Sequence, residues 1–229
     1  MTEAYQLSTN NEKTENNEET RIKEIWENNV EEEMDKISEL LETYNYIAMD
    51  TEFPGFVDKT ATGFSFIRNN ANKLKLIQVG ITLSDSRGNL PSPVSTWQFN
   101  LKFDLSKEEY MPESIRMLQE AGIDFEALSN YGIDSLYLAD LMMSSGLICT
   151  EDVHWITFHG AFDFAYLVKL LKNETLPEKK DLFKILTKQL FPNIYDIKIM
   201  VDSLEEIRNG SLSKLGDDLD VNCLYNFFR

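Results

Sequence analysis

From Thr20 onward the apolar residues Ile22, Trp26, Val30, Met34, Ile37 and Leu41 recur at three- and four-residue intervals. That spacing predicts an amphipathic helix ending near Tyr44-Asn45. The pattern then shifts to short apolar runs. Tyr46 to Phe53 reads as a strand stopped by Pro54-Gly55, Leu74 to Leu83 as a second and Val94 to Leu101 as a third. Ser84 to Asn89, with Gly88, supplies the turn between the last two, and three successive strands on short connections predict an antiparallel meander. Helical patterns follow at Ser114–Ala121, Asp124–Tyr131 and Ser135–Ser145. A buried strand at Val153–Phe158 precedes helices at Phe162–Leu171, at Glu178–Leu190 and after Asp196. No internal repeat interrupts this order. Strands first, then alternating helix and strand, predict an α/β fold with a mixed sheet flanked by helices. Residues 1–19 are rich in Asn, Glu and Thr without apolar period, and are expected to be a disordered acidic tail.

Composition narrows the function. A chain of 229 residues suits one domain, and no apolar run reaches the roughly 18 residues that a membrane span needs. The N-terminus carries neither a basic nor an apolar leader segment. Cys149 and Cys223 stand far apart in no metal-binding spacing, so an intracellular, reducing compartment is expected. The formal charge of −17 argues against indiscriminate binding to nucleic acid, because phosphate contacts need lysine and arginine. That charge is unevenly spread. No acidic residue lies between Asp58 and Asp85, where Lys59, Arg68, Lys73 and Lys75 are present with Phe64 and Phe66 among them. The stretch is either a phosphate-and-base strip for RNA or an ordinary loop feeding a strand.

Chemistry enters at two places. Side chains two apart on a strand share a face, so Asp50 and Glu52 project together while Ile47, Met49, Thr51 and Phe53 cover the other face. Two carboxylates side by side in an apolar strand call for a compensating cation, and hard oxygen ligands select Mg²⁺ or Mn²⁺. The alternative is a solvated acidic pair. Asp163 is the second place. A strand ends, Gly160 permits a turn, and a helix begins with this carboxylate in its first turn, where the helix dipole favours negative charge. It is either a site residue or a simple helix-terminal charge.

Taken together these blocks amount to a resemblance. Tyr46-Ile-Ala-Met-Asp50-Thr-Glu52-Phe-Pro-Gly55, Leu76-Ile-Gln-Val-Gly80, Ser95-Thr-Trp-Gln-Phe-Asn100, Thr157-Phe-His-Gly-Ala-Phe-Asp163-Phe-Ala-Tyr-Leu167 and Phe191-Pro-Asn-Ile-Tyr-Asp-Ile-Lys198 closely resemble the poly(A) deadenylase subunit of the carbon catabolite repression–NOT (Ccr-Not) complex. That family belongs to the DEDD nucleases with a ribonuclease-H-like fold, and the similarity runs from about Arg21 to about Asp220. The resemblance implies an exonuclease domain over residues 20–220 that removes adenylates from mRNA tails in the 3′-to-5′ direction. It implies a two-metal site of Mg²⁺ or Mn²⁺, with Asp50, Glu52 and Asp163 as three of four acidic ligands. It also implies poly(A) RNA, a scaffold subunit and a second deadenylase as partners, in cytoplasm and nucleus.

The family's fourth aspartate follows a histidine taken as general base, and that segment has no counterpart here. His154 and His159 both precede Asp163, and residues 221–229 form an atypical tail. His159 is expected to pack or hydrogen-bond beside Asp163, and Asp196 to cap a helix. Asp217, Asp218 and Asp220 lie in a helical pattern that reads as a solvated face. The expectation is therefore a deadenylase domain incomplete at its C-terminus. The alternatives are an impaired isoform that serves only as an interaction subunit, or an incomplete gene model.

Overall fold

The computed structural model describes residues 21–202 and 211–219. Its centre is strand β2 (Tyr46–Glu52), whose Ile47, Met49 and Thr51 are buried while the residues between them are less so, as alternation requires. Against one edge of β2 lies β3 (Gln78–Ser84), antiparallel, with Asp50 opposite Gly80 and Glu52 opposite Gln78. β4 (Thr96–Asn100) continues antiparallel beside β3, so the expected meander is present. Against the other edge lies β5 (His154–Thr157), parallel to β2, followed by the parallel β6 (Asn193–Asp196). β1 (Ile22–Ile25) pairs in parallel with β4, giving a mixed sheet ordered β1-β4-β3-β2-β5-β6. This is the α/β arrangement the sequence predicts.

Helices α1 (Val30–Leu40), α2 (Gly63–Lys73), α3 (Pro112–Glu120), α4 (Phe125–Tyr131) and α5 (Ser135–Ser144) are followed by α6 (Ala161–Lys172), α7 (Lys180–Leu190), α8 (Ile197–Asp202) and α9 (Leu212–Asp218). α6 is the most deeply set, burying Phe164, Ala165, Tyr166, Leu167 and Val168 between the sheet and helices α2, α5 and α7. Trp155 of β5, fully buried, meets the ring of Phe191 edge-on at 5.1 Å, and Phe191 also meets Phe164 of α6 at 5.0 Å. These rings fix the height of α6 above the sheet.

Three elements differ from the sequence pattern. The first helix begins at Val30, and Ile22–Ile25 is instead a strand on the sheet edge. Ile22 and Trp26 stand four apart, a spacing equally compatible with a period of two, and Asn29 breaks the run. Its side chain accepts from the Trp26 amide at 2.7 Å and donates to the Glu24 carbonyl at 3.1 Å, closing the turn between β1 and α1. β6, a four-residue strand after Pro192, is too short and too little buried to show a period of its own.

The third difference is α2, where the sequence suggests a strip or a loop. Asn70, fully buried, accepts from the amides of Val57 and Asp58 and donates to the carbonyls of Asp58 and Phe66. At the same C-terminal end Lys169 of α6 donates to the carbonyls of Ala71, Asn72 and Leu74. A helix with two adjacent asparagines is thus held by partners distant in sequence at its C-terminal end. Burial lowers the proton affinity of Lys169, and the nearby Glu108 charge opposes that effect. Lys169→Met is expected to cost about 2 kcal/mol in urea unfolding, since three carbonyls lose a charged donor. Lys73→Met, at an exposed position on the same helix, should stay within about 0.5 kcal/mol of wild type.

Candidate metal centre

β2 carries Asp50 and Glu52 at its C-terminal end, beside the point where β5 runs into α6. The turn between β5 and α6 is tight. His159 has a φ of +63°, and a Cβ on Gly160 would stand 2.4 Å from the Thr157 hydroxyl oxygen, so only glycine fits there. Asp196, at the end of β6, holds this turn. Its Oδ1 accepts from the His159 amide at 2.9 Å and its Oδ2 from the Gly160 amide at 3.0 Å. Oδ1 also accepts from the Lys198 amide at 3.0 Å, the capping contact expected from the sequence. The sequence does not show that Asp196 also braces the start of α6.

Asp163, in the first turn of α6, is only 6% exposed. Thr51 donates its hydroxyl to Asp163 Oδ1 at 2.5 Å, linking the central strand to the helix. Burial raises the proton affinity of Asp163, the Thr51 hydrogen bond opposes the rise, and the Asp196 charge adds to it. Asp50 is pushed up to about 7, first by burial and then by the Asp163 charge. Glu52 is pushed up to about 7 by burial, then by the charges of Asp50 and Asp163. Three carboxylates therefore share one electrostatic field without a compensating cationic side chain among their causes of shift. They are not drawn into a closed cage: among the described residues no three Asp, Glu, His or Cys side chains converge as a ready ligand set. The donor chemistry, buried and oxygen-only with surplus negative charge, fits a hard divalent cation.

Next to the carboxylates is an aromatic cluster. Phe53 stacks on Phe162 at 5.4 Å and on Tyr166 at 4.9 Å, while Phe56 meets Phe162 at 4.9 Å and Phe66 at 5.1 Å. Phe53, Phe56, Phe66 and Phe162 are only partly buried, and Phe53 and Phe162 are immediate chain neighbours of Glu52 and Asp163. Of the strip singled out in the sequence, Phe66 joins this cluster, whereas Phe64 packs on Phe183 of α7 at 5.1 Å. Arg68 stands 4.0 Å from Glu178, Lys75 lies 3.3 Å from Glu108, and Lys73 is exposed. His159 is not packed beside Asp163 as expected; its left-handed backbone leaves it exposed. His154 stacks on Tyr46 at 4.4 Å. Asp217 and Asp218 are exposed on α9, as a solvated face requires, while Asp220 and the tails at 1–19 and 221–229 lie outside the described residues.

The sequence profile described as CAF1 family ribonuclease matches residues 25–141 and 138–224. This chain belongs to the CAF1 ribonuclease family. It is 42% identical over 215 residues to the probable CCR4-associated factor 1 homolog 7 of Arabidopsis thaliana, covering 88% of this chain and 78% of that protein. It is 41% identical to the poly(A) ribonuclease pop2 of Schizosaccharomyces pombe, covering 88% of this chain and 62% of that protein. Among solved structures, S. pombe Pop2p in its Mg²⁺- and Mn²⁺-bound form superposes with a TM-score of 0.84 at 39% identity, over 88% of this chain and 82% of that one. Yeast CAF1, co-crystallized with the NOT1 MIF4G domain, gives 0.80 at 36% identity over 90% and 81%. The expected ribonuclease-H-like fold is thus the fold of this CAF1-family chain.

The charge crowding sets a pH dependence. Because the folded proton affinities of Asp50 and Glu52 lie above their ordinary carboxylate values, the native state holds more protons than the unfolded chain between about pH 4 and pH 7. Metal-free stability is therefore expected to fall as pH rises through that window. Asp50→Asn should flatten the fall and raise the metal-free Tm at pH 7.5 by at least roughly 2–4 °C, equivalent to about 1 kcal/mol. A lower melting point for Asp50→Asn under those conditions would contradict a charge-strained site.

Proposed function

We propose that this chain is a divalent-metal-dependent, poly(A)-specific 3′-to-5′ exoribonuclease that shortens mRNA tails within a Ccr-Not assembly, in cytoplasm and nucleus. The observation that carries the proposal is the set of three carboxylates with raised proton affinity, Asp163 buried and Asp50 and Glu52 partly buried, at the junction of β2 and α6 in a CAF1-family chain. The related S. pombe Pop2p is a Mg²⁺- and Mn²⁺-bound structure, and the yeast relative assembles with a NOT1 MIF4G domain. Both relationships support Mg²⁺ or Mn²⁺ as cofactor here and a NOT1-type scaffold as partner, with a second deadenylase as a further one.

Asp50, Glu52 and Asp163 would hold the metal. A bound divalent cation would supply Lewis-acid activation of water and neutralise charge developing on the phosphoryl and leaving oxygens during in-line displacement. The chain's own residues prepare that site. The Thr51 hydroxyl fixes one Asp163 oxygen, and Asp196 fixes the turn from which Asp163 departs. Deprotonation of Asp50 and Glu52 makes them ligands, so metal affinity should climb steeply between about pH 6 and pH 8. The partly exposed rings of Phe56, Phe66 and Phe162 offer faces for unstacked bases, and Arg68, Lys73 and Lys75 lie along α2 and just after it to meet phosphates. Phe64, packed against Phe183, contributes to RNA binding by holding α2 in place.

One observation favours a second reading, an interaction subunit with impaired catalysis. Among the described residues His154 is engaged with Tyr46, and the exposed His159 has only its backbone amide tied to Asp196, so no histidine is held against the three carboxylates. Incubation with 5′-labelled poly(A) RNA and Mg²⁺ or Mn²⁺ separates the two. A shortening ladder abolished by EDTA and reduced at least 100-fold in Asp50→Ala is expected for the enzyme. No ladder, with retained binding to a NOT1-type MIF4G domain, would leave the interaction subunit. A ladder undiminished in Asp50→Ala would move the chemistry elsewhere.

The stacking role has its own measurement. Phe56→Ala is expected to weaken poly(A) binding by about 1–2 kcal/mol, read by fluorescence anisotropy in Ca²⁺. Phe64→Ala should act on the melting temperature before it acts on binding.

A further inference from the structure

Away from the carboxylates, the connection between β1 and α1 forms a groove of about 520 Å³ with α4. One wall is Trp26, Glu27 and Asn28, and the other is Ala127 and Tyr131. We propose that this groove docks an arginine-bearing segment of a protein partner, with the guanidinium lying between the two aromatic rings and meeting the Glu27 carboxylate. β1 stands three strands from β2 in the sheet, roughly 14 Å in strand spacings, so the groove is separate from the metal centre.

The walls are preformed. The Glu27 amide donates to the Tyr131 carbonyl at 3.1 Å, stitching one wall to the other through backbone. Gly132 follows Tyr131 with no spare room: a Cβ there would stand 2.4 Å from the Leu128 carbonyl and 2.6 Å from Lys102 Cα. The end of α4 is therefore pinned. Trp26 rests on the smaller apolar cluster that includes Ile77, Phe103 and Phe125, while Tyr131, at 65% exposure, presents most of its ring to solvent. A groove whose backbone walls are already fixed binds at less entropic cost.

Charge selects the occupant. From Glu24 to Asp35 the chain has six acidic residues and no basic one, and from Glu108 to Asp140 it has eight acidic residues against Arg116 alone. Glu27 has no ion-pair partner among the described residues, and the Tyr137 hydroxyl has its proton affinity raised first by its hydrogen bond to Glu31, then by burial and the Glu31 and Glu27 charges. RNA is repelled by such a field. A guanidinium fits it, being planar, weakly hydrated and able to stack on tryptophan or tyrosine while donating to a carboxylate. An ammonium, compact and strongly hydrated, gains less from stacking.

The full chain supplies its own reporter. Of its three tryptophans, Trp97 and Trp155 are 1% and 0% exposed, so a change in tryptophan emission on ligand binding arises at Trp26. Titration with the peptide acetyl-Gly-Arg-Gly-Arg-Gly-amide is expected to give a saturable change, with its lysine counterpart several-fold weaker and its glutamate counterpart silent. Tyr131→Ala and Glu27→Gln should each weaken the arginine peptide roughly tenfold, about 1.4 kcal/mol. Glu27→Gln keeps the fold decisive should Tyr131→Ala perturb α4. Equal binding of the arginine and lysine peptides, no saturable signal, or undiminished binding in Glu27→Gln would overturn the proposal.

Discussion

The 2.5 Å hydrogen bond from Thr51 to Asp163 joins the two halves of this molecule at the point where its chemistry is gathered. β2 arrives from the meander side and α6 from the β5–β6 side, and the bond sets them in register. Asp50 and Glu52 flank Thr51 in sequence and point to the other side of the strand, yet both feel Asp163 strongly enough to be raised by it. Thr51 can make this contact only because the β5–α6 turn is tight. That tightness rests on Gly160 and on the two amides that Asp196 receives.

A folded chain would not collect buried carboxylates for stability. Each one raises the proton affinity of its neighbours, and the surrounding core is otherwise apolar enough to make that expensive. The stability comes from elsewhere, chiefly the rings of Trp155, Phe191 and Phe164 and the helix-end contacts of Lys169 and Asn70. Of these, the Phe164–Phe191 contact and the Lys169 bonds act on α6 itself. They hold its first turn against β2 in spite of the repulsion, which is the physical meaning of a site prepared for a cation.

Much of this was legible in the sequence where local pattern and tertiary demand agree. β2 alternates cleanly and ends at Pro54-Gly55, and Asp163 stands at an unmistakable strand-turn-helix junction. The meander follows from three strands on short connections. The failures share a cause, namely that distant partners decide them. Ile22–Ile25 is extended because β4 offers it a ladder, and the last turn of α2 is tied down because Asn70 anchors it to Val57 and Asp58 and Lys169 bonds its carbonyls. Phe56 and Phe162 are 106 residues apart in sequence, so no spacing rule announces that they share a cluster beside the carboxylates. Asp196 reads as a cap from its neighbours and acts as a brace only because β6 sets it under the His159–Gly160 turn.

The uneven charge can be understood on the same terms. For the proposed RNA substrate, a chain with a net charge of −17 would have to keep its acids away from the strand it binds, except where a metal masks them. The stretch from Lys59 to Ser84, free of acids, folds into α2 and β3, and Phe66 of α2 reaches the aromatic cluster next to Asp163. The acids displaced from that side accumulate on the β1–α1 connection and around α3 to α5. Separation of charge therefore gives the molecule two faces of opposite preference. On the proposed reading, one would meet phosphates and the other cationic groups of a protein, so a partner docked on the acidic face would not compete with RNA at the carboxylates.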